Sequence, residues 1–164
     1  MTDNPVVTAD PQLRVERARA DEEPGSSLLA SMSAEIDGLY AELPGSLDSI
    51  PATAEQMSEP DGSFVVISDS SGPLACGGLK RLDAETAEIK RMYVADSHRG
   101  RGVGRRLLAE LESECRRLGY RRIRLDTGSD QPAARTLYES AGYRGIPDYN
   151  GNPLAAFWFE KELA

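Results

Sequence analysis

Residues 87–118 read AEIKRMYVADSHRGRGVGRRLLAELESECRRL, and this stretch decides the fold. It opens with a strand-like run over 88–94, crosses a polar turn, and enters a loop of alternating glycines and arginines, Arg99-Gly100-Arg101-Gly102-Val103-Gly104. Beyond the loop, Val103, Leu107, Leu108, Leu111, Cys115 and Leu118 recur at helical spacing, and Gly119 supplies a stop. The first amides of a helix have no internal acceptor and sit at the positive end of its dipole, so this order presents an anion site. Three glycines at alternate positions let the backbone curl and remove the Cβ atoms that would hold a phosphate away. Arg99, Arg101, Arg105 and Arg106 surround the same turn with positive charge, which suits a diphosphate.

Spacing separates the phosphate-binding alternatives. The dinucleotide pattern G-x-G-x-x-G fails, because Arg105 or Leu107 stands where its last glycine belongs. The pattern G-x-x-x-x-G-K-[ST] fails too, since no Gly-Lys pair occurs. What remains is R-x-x-G-x-G between a strand and a helix, met by Arg99, Gly102 and Gly104. This resembles the acyl-CoA loop of the GNAT superfamily of N-acetyltransferases. The bland alternative is a Gly-rich turn feeding a helix with a solvated basic face, and flanking sequence decides between them.

Composition bounds the answer. A chain of 164 residues, 40% hydrophobic, can bury one proper core and is short for two domains. The expected layout is a loose arm over 1–11 and a single domain over 12–164. Cys76 and Cys115 lie far apart with no CxxC or Cys/His cluster, which reads as buried reduced thiols. His98 is the only histidine, so neither a metal site nor a Ser/His triad is expected. No apolar run approaches the ~20 residues a membrane helix needs. The N-terminus lacks the basic start and apolar core of a signal peptide. A cytoplasmic protein with no membrane partner is the expectation.

The net charge of −8 is uneven: residues 1–80 carry 14 acidic and 4 basic residues, and residues 81–164 carry 13 acidic and 15 basic. An anionic ligand is therefore expected on the second half. Nucleic acid is not, because it calls for a broad basic stripe. If the acidic first half borders the site, it would favour a cationic acceptor such as an amine.

Residues 13–18 alternate apolar with charged, the period of a half-buried strand. Acids and a serine cap over 22–27 precede an apolar stripe at Leu28, Leu29, Met32, Ile36, Leu39 and Tyr40, a helix that Pro44-Gly45 stops. A short helix is expected near 53–57, between Pro51 and Pro60. Strands follow at 63–68, 72–81 and 88–94, forming an antiparallel meander, with Gly77-Gly78 marking a bulge or a close backbone approach. After the loop helix come a strand at 123–127, a helix capped by Asp130 or Gln131 with Pro132 first, and strands at 143–146 and 154–163. The order β-α-α-β-β-β-α-β-α-β-β predicts an α/β fold with helices on both sheet faces.

That order is the GNAT one, and a second motif joins the loop. With Gln131 ahead of it, AARTLYESAGY over 133–143 is similar to the family's Asn-x-x-Ala-x-x-Leu-Tyr-x-x-x-Gly-Phe, with Gln131 for asparagine and Tyr143 for phenylalanine. The resemblance covers roughly residues 62–163. It implies a mixed central sheet of about seven strands flanked by about four helices, with acetyl-CoA as co-substrate. It further implies that the strands at 88–94 and 121–127 splay apart, so that Met92, Tyr93 and Val94 meet the pantetheine arm as an added strand would. The turn Arg99, Gly100, Arg101, Gly102, Val103, Gly104 and Arg105 would cradle the diphosphate, and Gln131 would contact pantetheine.

The same resemblance assigns chemistry. The amide of Met92 would hold the acetyl carbonyl and the oxyanion it becomes. Tyr138 would protonate the departing thiolate; its bland alternative is a core tyrosine. Glu88 matches a glutamate that serves as base in some members. It lies four strand residues from Met92, about 13 Å, so any such role runs through water. Its bland alternative is a strand glutamate paired with a lysine or arginine. Asp126 and Thr127 are alternatives for holding the ammonium, and Tyr40 and Tyr149 border the acceptor pocket in similar proteins. The expected function is transfer of an acetyl group to a primary amine of a small molecule, amino acid or peptide, by direct attack in a ternary complex. The rival is an idle acyl-CoA-binding regulatory module. Exposed edge and apolar residues are compatible with a homodimer.

Overall fold

The computed structural model describes residues 12–164, so the arm expected over 1–11 lies outside the described residues. In chain order the elements are β1 (Arg14–Arg17), α1 (Gly25–Leu39), β2 (Ser63–Asp69), β3 (Gly72–Arg81), β4 (Thr86–Val94), α2 (Val103–Arg117), β5 (Arg122–Thr127), α3 (Pro132–Ser140), β6 (Arg144–Ile146) and β7 (Phe157–Glu162). Short 3₁₀ turns sit at Leu47–Ser49 and Asp96–His98. The seven strands make one mixed sheet in the order β1-β2-β3-β4-β5-β7-β6. Turns join β2, β3 and β4, which pair antiparallel. The α2 crossover makes β4–β5 the one parallel pair of the sheet.

Both faces of the sheet are covered, and β2 shows how. Its alternate residues Val65 and Ile67 join a core with Leu107, Leu108 and Leu111 of α2, while Phe64 and Val66 join Leu28 of α1 and Met57 on the other face. A strand buried on both sides reads as a continuous apolar run, which SFVVIS does. Each fully buried Phe or Leu side chain here contributes roughly 1.5–3 kcal/mol.

Three expectations need correction. About four helices were expected, and the described residues hold three α-helices. The missing one, near 53–57, is a single turn in which Met57 N–H donates to the Thr53 carbonyl at 3.0 Å. Thr53 and Gln56 cap each other's amides, at 2.9 and 3.1 Å, as a helix start would. Pro60 disfavours helical geometry at Glu59, and the turn instead seats Met57 beneath Gly78. At α1 no serine caps the first turn: Pro24 holds the cap position, while Ser26 and Ser27 donate to the Glu23 carboxylate at 2.9 and 2.6 Å. Neither Asp130 nor Gln131 caps α3 by its side chain, although Pro132 does open it.

Gly77-Gly78 mark a close approach, and the bulge belongs to the facing strand. Between the pairs Gly78↔Lys90 and Cys76↔Tyr93, β4 has one residue more than β3. Arg91 absorbs it with φ of 58°, the left-handed region. On Gly77 and Gly78 a Cβ would come within 2.8 Å of Leu111 and 2.2 Å of Met57 Sδ. Cys76 and Cys115 are free and buried, and burial pushes both thiols up to about 12. No helix of the described residues is long and apolar enough to cross a membrane.

Candidate active site

The site forms where the sheet opens. β4 pairs with β5 only over Thr86–Glu88 and Arg122–Arg124, so from Ile89 onward the two strands diverge, as expected of strands joined by a helix. Met92, Tyr93 and Val94 then border the gap with no β5 partner along that side. A segment of chain or ligand with amides can add there as a strand adds to an edge.

At the end of β4 the turn leads into α2. Gly102 caps α2 with φ of 80°, and Gly100 has φ of 76°, both in the region that favours glycine. A Cβ on either would meet nothing within 4 Å, so the turn is open to a ligand. Gly104 is less constrained, since a Cβ there would meet Leu137 of α3 at 3.4 Å, an ordinary contact. The arginines are not equivalent. The Arg99 guanidinium is held by Glu35 of α1 at 2.7 Å, donates to the Val94 carbonyl at 3.0 Å and lies over the Tyr93 ring. Arg105 donates to Ser140 Oγ at 2.9 Å. Arg101 is exposed and engages no described residue, so its charge is available at the turn.

Tyr138 comes from α3 to the head of the gap. It is buried against Tyr143 and Phe159, and its hydroxyl donates toward Met92 Sδ at 3.6 Å. Burial, with Asp126 nearby, pushes its phenol well above the ordinary range, so it stays protonated at neutral pH. Gln131 turns its carbonyl oxygen toward Thr127 Oγ1 and the Gly128 amide, both at 3.3 Å, which points the NH₂ of the side chain elsewhere.

A cavity of about 120 Å³ continues from Tyr138 and Met92 to α1. Ile89, Leu125, Thr127, Gln131 and Ala134 line one end, and Met32, Ile36, Tyr40, Leu47, Ile50 and Leu154 the other. Lys90, Arg91 and Asp126 bring the charge. The acidic first half contributes apolar and hydroxyl groups to this lining and no acid. Tyr40 is in place: its ring lies over Gly128, where a Cβ would meet the hydroxyl at 1.9 Å, and it accepts from the Asp130 amide at 3.3 Å.

Glu88 is set apart. It is 0% exposed and does not line the cavity; Oε2 accepts from Tyr149 at 2.5 Å and Asn150 Nδ2 at 3.2 Å. Its Oε1 has no hydrogen bond and faces Lys80 and Lys90 at 3.8 and 3.7 Å. Lys90 continues to Asp126 Oδ2 at 3.2 Å, and Asn150 and Asn152 also donate to that carboxylate. Glu88 thus reaches the cavity only through Lys90, Asn150 and Asp126. Tyr149 serves this network and does not line the cavity. Burial and the adjacent Glu88 push its phenol far above the ordinary range.

Lys90, Arg91, Asn150, Asn152 and Glu35 were missed by the sequence reading. Consecutive charges in the strand IKRMYV were one signal, since they load both faces of a strand. The asparagines of DYNGNP read only as turn formers, a role they also have: Asn150 Oδ1 accepts from the Asn152 amide and from Trp158 Nε1.

A splayed parallel pair, a glycine turn at a helix start and a buried tyrosine facing the gap come together at one place, as the resemblance to acyl-CoA transferases implies. The profile of the Acetyltransferase (GNAT) family matches residues 29–143. The IAA acetyltransferase of Azospirillum brasilense is 32% identical over 149 residues, 88% of this chain and 96% of that one. Among solved structures, an acetyltransferase from Streptococcus agalactiae superposes with a TM-score of 0.76 at 20% identity, covering 93% of this chain and 99% of that one. A GNAT family acetyltransferase from Elizabethkingia anophelis, solved with acetyl-CoA bound, superposes at 0.65 with 18% identity and the same coverage. The chain belongs to the GNAT family and is an acetyl-CoA-dependent acyltransferase.

Proposed function

We propose that the chain moves an acetyl group from acetyl-CoA to a primary amine by direct attack in a ternary complex, with residues 12–164 acting as one domain in a cytoplasmic setting. The observation that carries this is the buried Tyr138 hydroxyl, 3.6 Å from Met92 Sδ on the wall of the cavity where the sheet opens. Acetyl-CoA supplies a thioester, whose carbon accepts the amine and whose sulfur leaves.

The amides of the turn from Arg101 to Arg105 and the Arg101 guanidinium bind the diphosphate, while Gly100 and Gly102 leave it room. Arg99 shapes the turn from its place on Glu35. Met92, Tyr93 and Val94 hold the pantetheine amides along the free side of β4, and Gln131 donates its NH₂ to the same arm. The Met92 amide binds the carbonyl oxygen and the negative charge that develops there. As the C–N bond forms and the C–S bond breaks, Tyr138 gives its proton to the thiolate and regains one from solvent. A thiol of pKa about 8.5 leaves readily, so the help required is modest. Asp126 and Thr127 hold the ammonium, of pKa about 10.4 when free; one proton passes to water before the amine attacks, and the second N–H proton passes to water once the C–N bond has formed, matching the proton that Tyr138 gives to the sulfur. Glu88 acts at a distance, by fixing Lys90 and Asn150 and through them Asp126.

The test is release of free CoA thiol from acetyl-CoA in the presence of amines, amino acids, polyamines and aminoglycosides. Turnover with at least one amine is expected. Binding of CoA with no release from any of them favours the regulatory module.

A further inference from the structure

The acceptor end of the cavity contains a cation that acetyl transfer does not use. Arg91 is 9% exposed and forms part of the wall beside Met92. Its Nη1 donates to the Leu47 carbonyl at 2.6 Å, and its Nη2 lies 3.4 Å from Asp48 Oδ1. Asp48 is 90% exposed, so its charge is screened by water. A guanidinium offers five N–H donors, and a buried one needs a well-placed anion. Lys90, the residue before Arg91, has Asp126 and Glu88 within 3.2 and 3.7 Å, whereas the one ion pair of Arg91 among the described residues is with exposed Asp48, and Asp126 acts on it only from beyond ion-pair distance.

The backbone adds a second observation. Arg91 is the one non-glycine residue in the left-handed region among the described residues, and it is the extra residue of β4. Backbone held in such a region concentrates at ligand clamps. Without the bulge, a side chain at this position would keep the strict alternation of β4. Around Arg91 the acceptor end is apolar, with Met32, Ile36, Leu47, Ile50 and Leu154.

We infer that the acceptor amine carries a carboxylate, as an apolar α-amino acid does, with the carboxylate on Arg91 and the side chain against Met32, Ile36 and Leu154. This rests on the acetyl-transfer reading above and narrows its substrate. Arg91 and Asp126 line the same small cavity, which suits an acceptor whose amine and carboxylate share one carbon. A guanidinium–carboxylate pair also has the fork geometry that selects for the acid over its amide.

The experiment compares leucine, methionine and phenylalanine, each with its amide and its decarboxylated amine, in thiol release from acetyl-CoA. In parallel, calorimetry on the CoA-bound protein compares each N-acetyl amino acid with the acetamide of the matching amine. The acid of at least one set should be favoured about 30-fold in kcat/KM, the scale of one hydrogen bond to a charged group. Arg91→Met should erase that preference and Arg91→Lys should keep part of it, with acetyl-CoA affinity unchanged in both. Handling of amide or amine within threefold of the acid overturns the inference, as does product binding that ignores the carboxylate or fails altogether. Should the variants not fold, the ligand series on the native enzyme decides alone. Failure of the acetyl-transfer reading looks different: no thiol is released from any amine, while N-acetyl amino acids still bind through Arg91.

Discussion

Glu114 and Glu88 are both buried glutamates, and they are treated in opposite ways. Glu114 of α2 accepts from Arg17 of β1, from Arg117 and from Ser63 of β2, so that both its oxygens are occupied. These donors outweigh burial and hold its carboxyl at about 2, below its ordinary 4.5. Glu88 of β4 has one oxygen occupied and one with no hydrogen bond. A saturated carboxylate fastens three elements together. An unsaturated one, beside two lysines at the opening of the sheet, carries a buried oxygen with no hydrogen bond, at a cost in stability.

If the molecule divides in this way, substitutions in the open part should cost activity, and those in the saturated part stability. The largest effect is expected from Tyr138→Phe, which should lower kcat about 100-fold, the low end for general acid catalysis because a thiolate leaves readily. Acetyl-CoA affinity and melting temperature should hardly move; unaltered turnover removes Tyr138 from the chemistry.

Next comes Glu114→Gln, expected to lose about 2 kcal/mol in urea denaturation at pH 7. The depressed carboxyl would allow more, but Arg17 is 58% exposed and its share is screened. The sign is fixed by the direction of the shift: the contribution is complete above pH 4.5 and disappears as pH falls through 2. Wild type and variant should therefore converge in acid. Glu88→Gln should cost at most about 1 kcal/mol, because few hydrogen bonds are lost, and should act mainly on kcat. An equal loss of stability from both glutamates would break the comparison. Gly102→Ala imposes a side chain on a φ of 80° and should weaken acetyl-CoA binding by about fivefold, equivalent to roughly 1 kcal/mol of backbone strain, as read by calorimetry.

Much of the fold was legible because its signals are local. The glycine spacing at 100–104, the apolar stripe of α2 and Pro132 at the start of α3 each act within a few residues, and the strands of the meander are bounded by visible turns. The misreadings involve partners far along the chain. A capping pair at Thr53 and Gln56 promises a helix, which the packing of Met57 on Gly78 cuts to one turn. Glu88 was expected to act only through water, and the partners that hold it, Tyr149 and Asn150, lie more than 60 positions away and left no local sign. The bulge at Arg91 was invisible because nothing in KRM announces a left-handed arginine.

The hold of Glu35 on Arg99 has a consequence for how the enzyme meets its surroundings. It braces α1, which supplies Met32 and Ile36 to the cavity, against the turn that ends β4. Both partners are partly exposed, so dissolved electrolyte weakens the brace while leaving the more deeply placed Glu114 cluster largely intact. Rising ionic strength should raise KM for the acceptor before it affects the melting temperature, making substrate capture the first property to respond to the salt content of the medium.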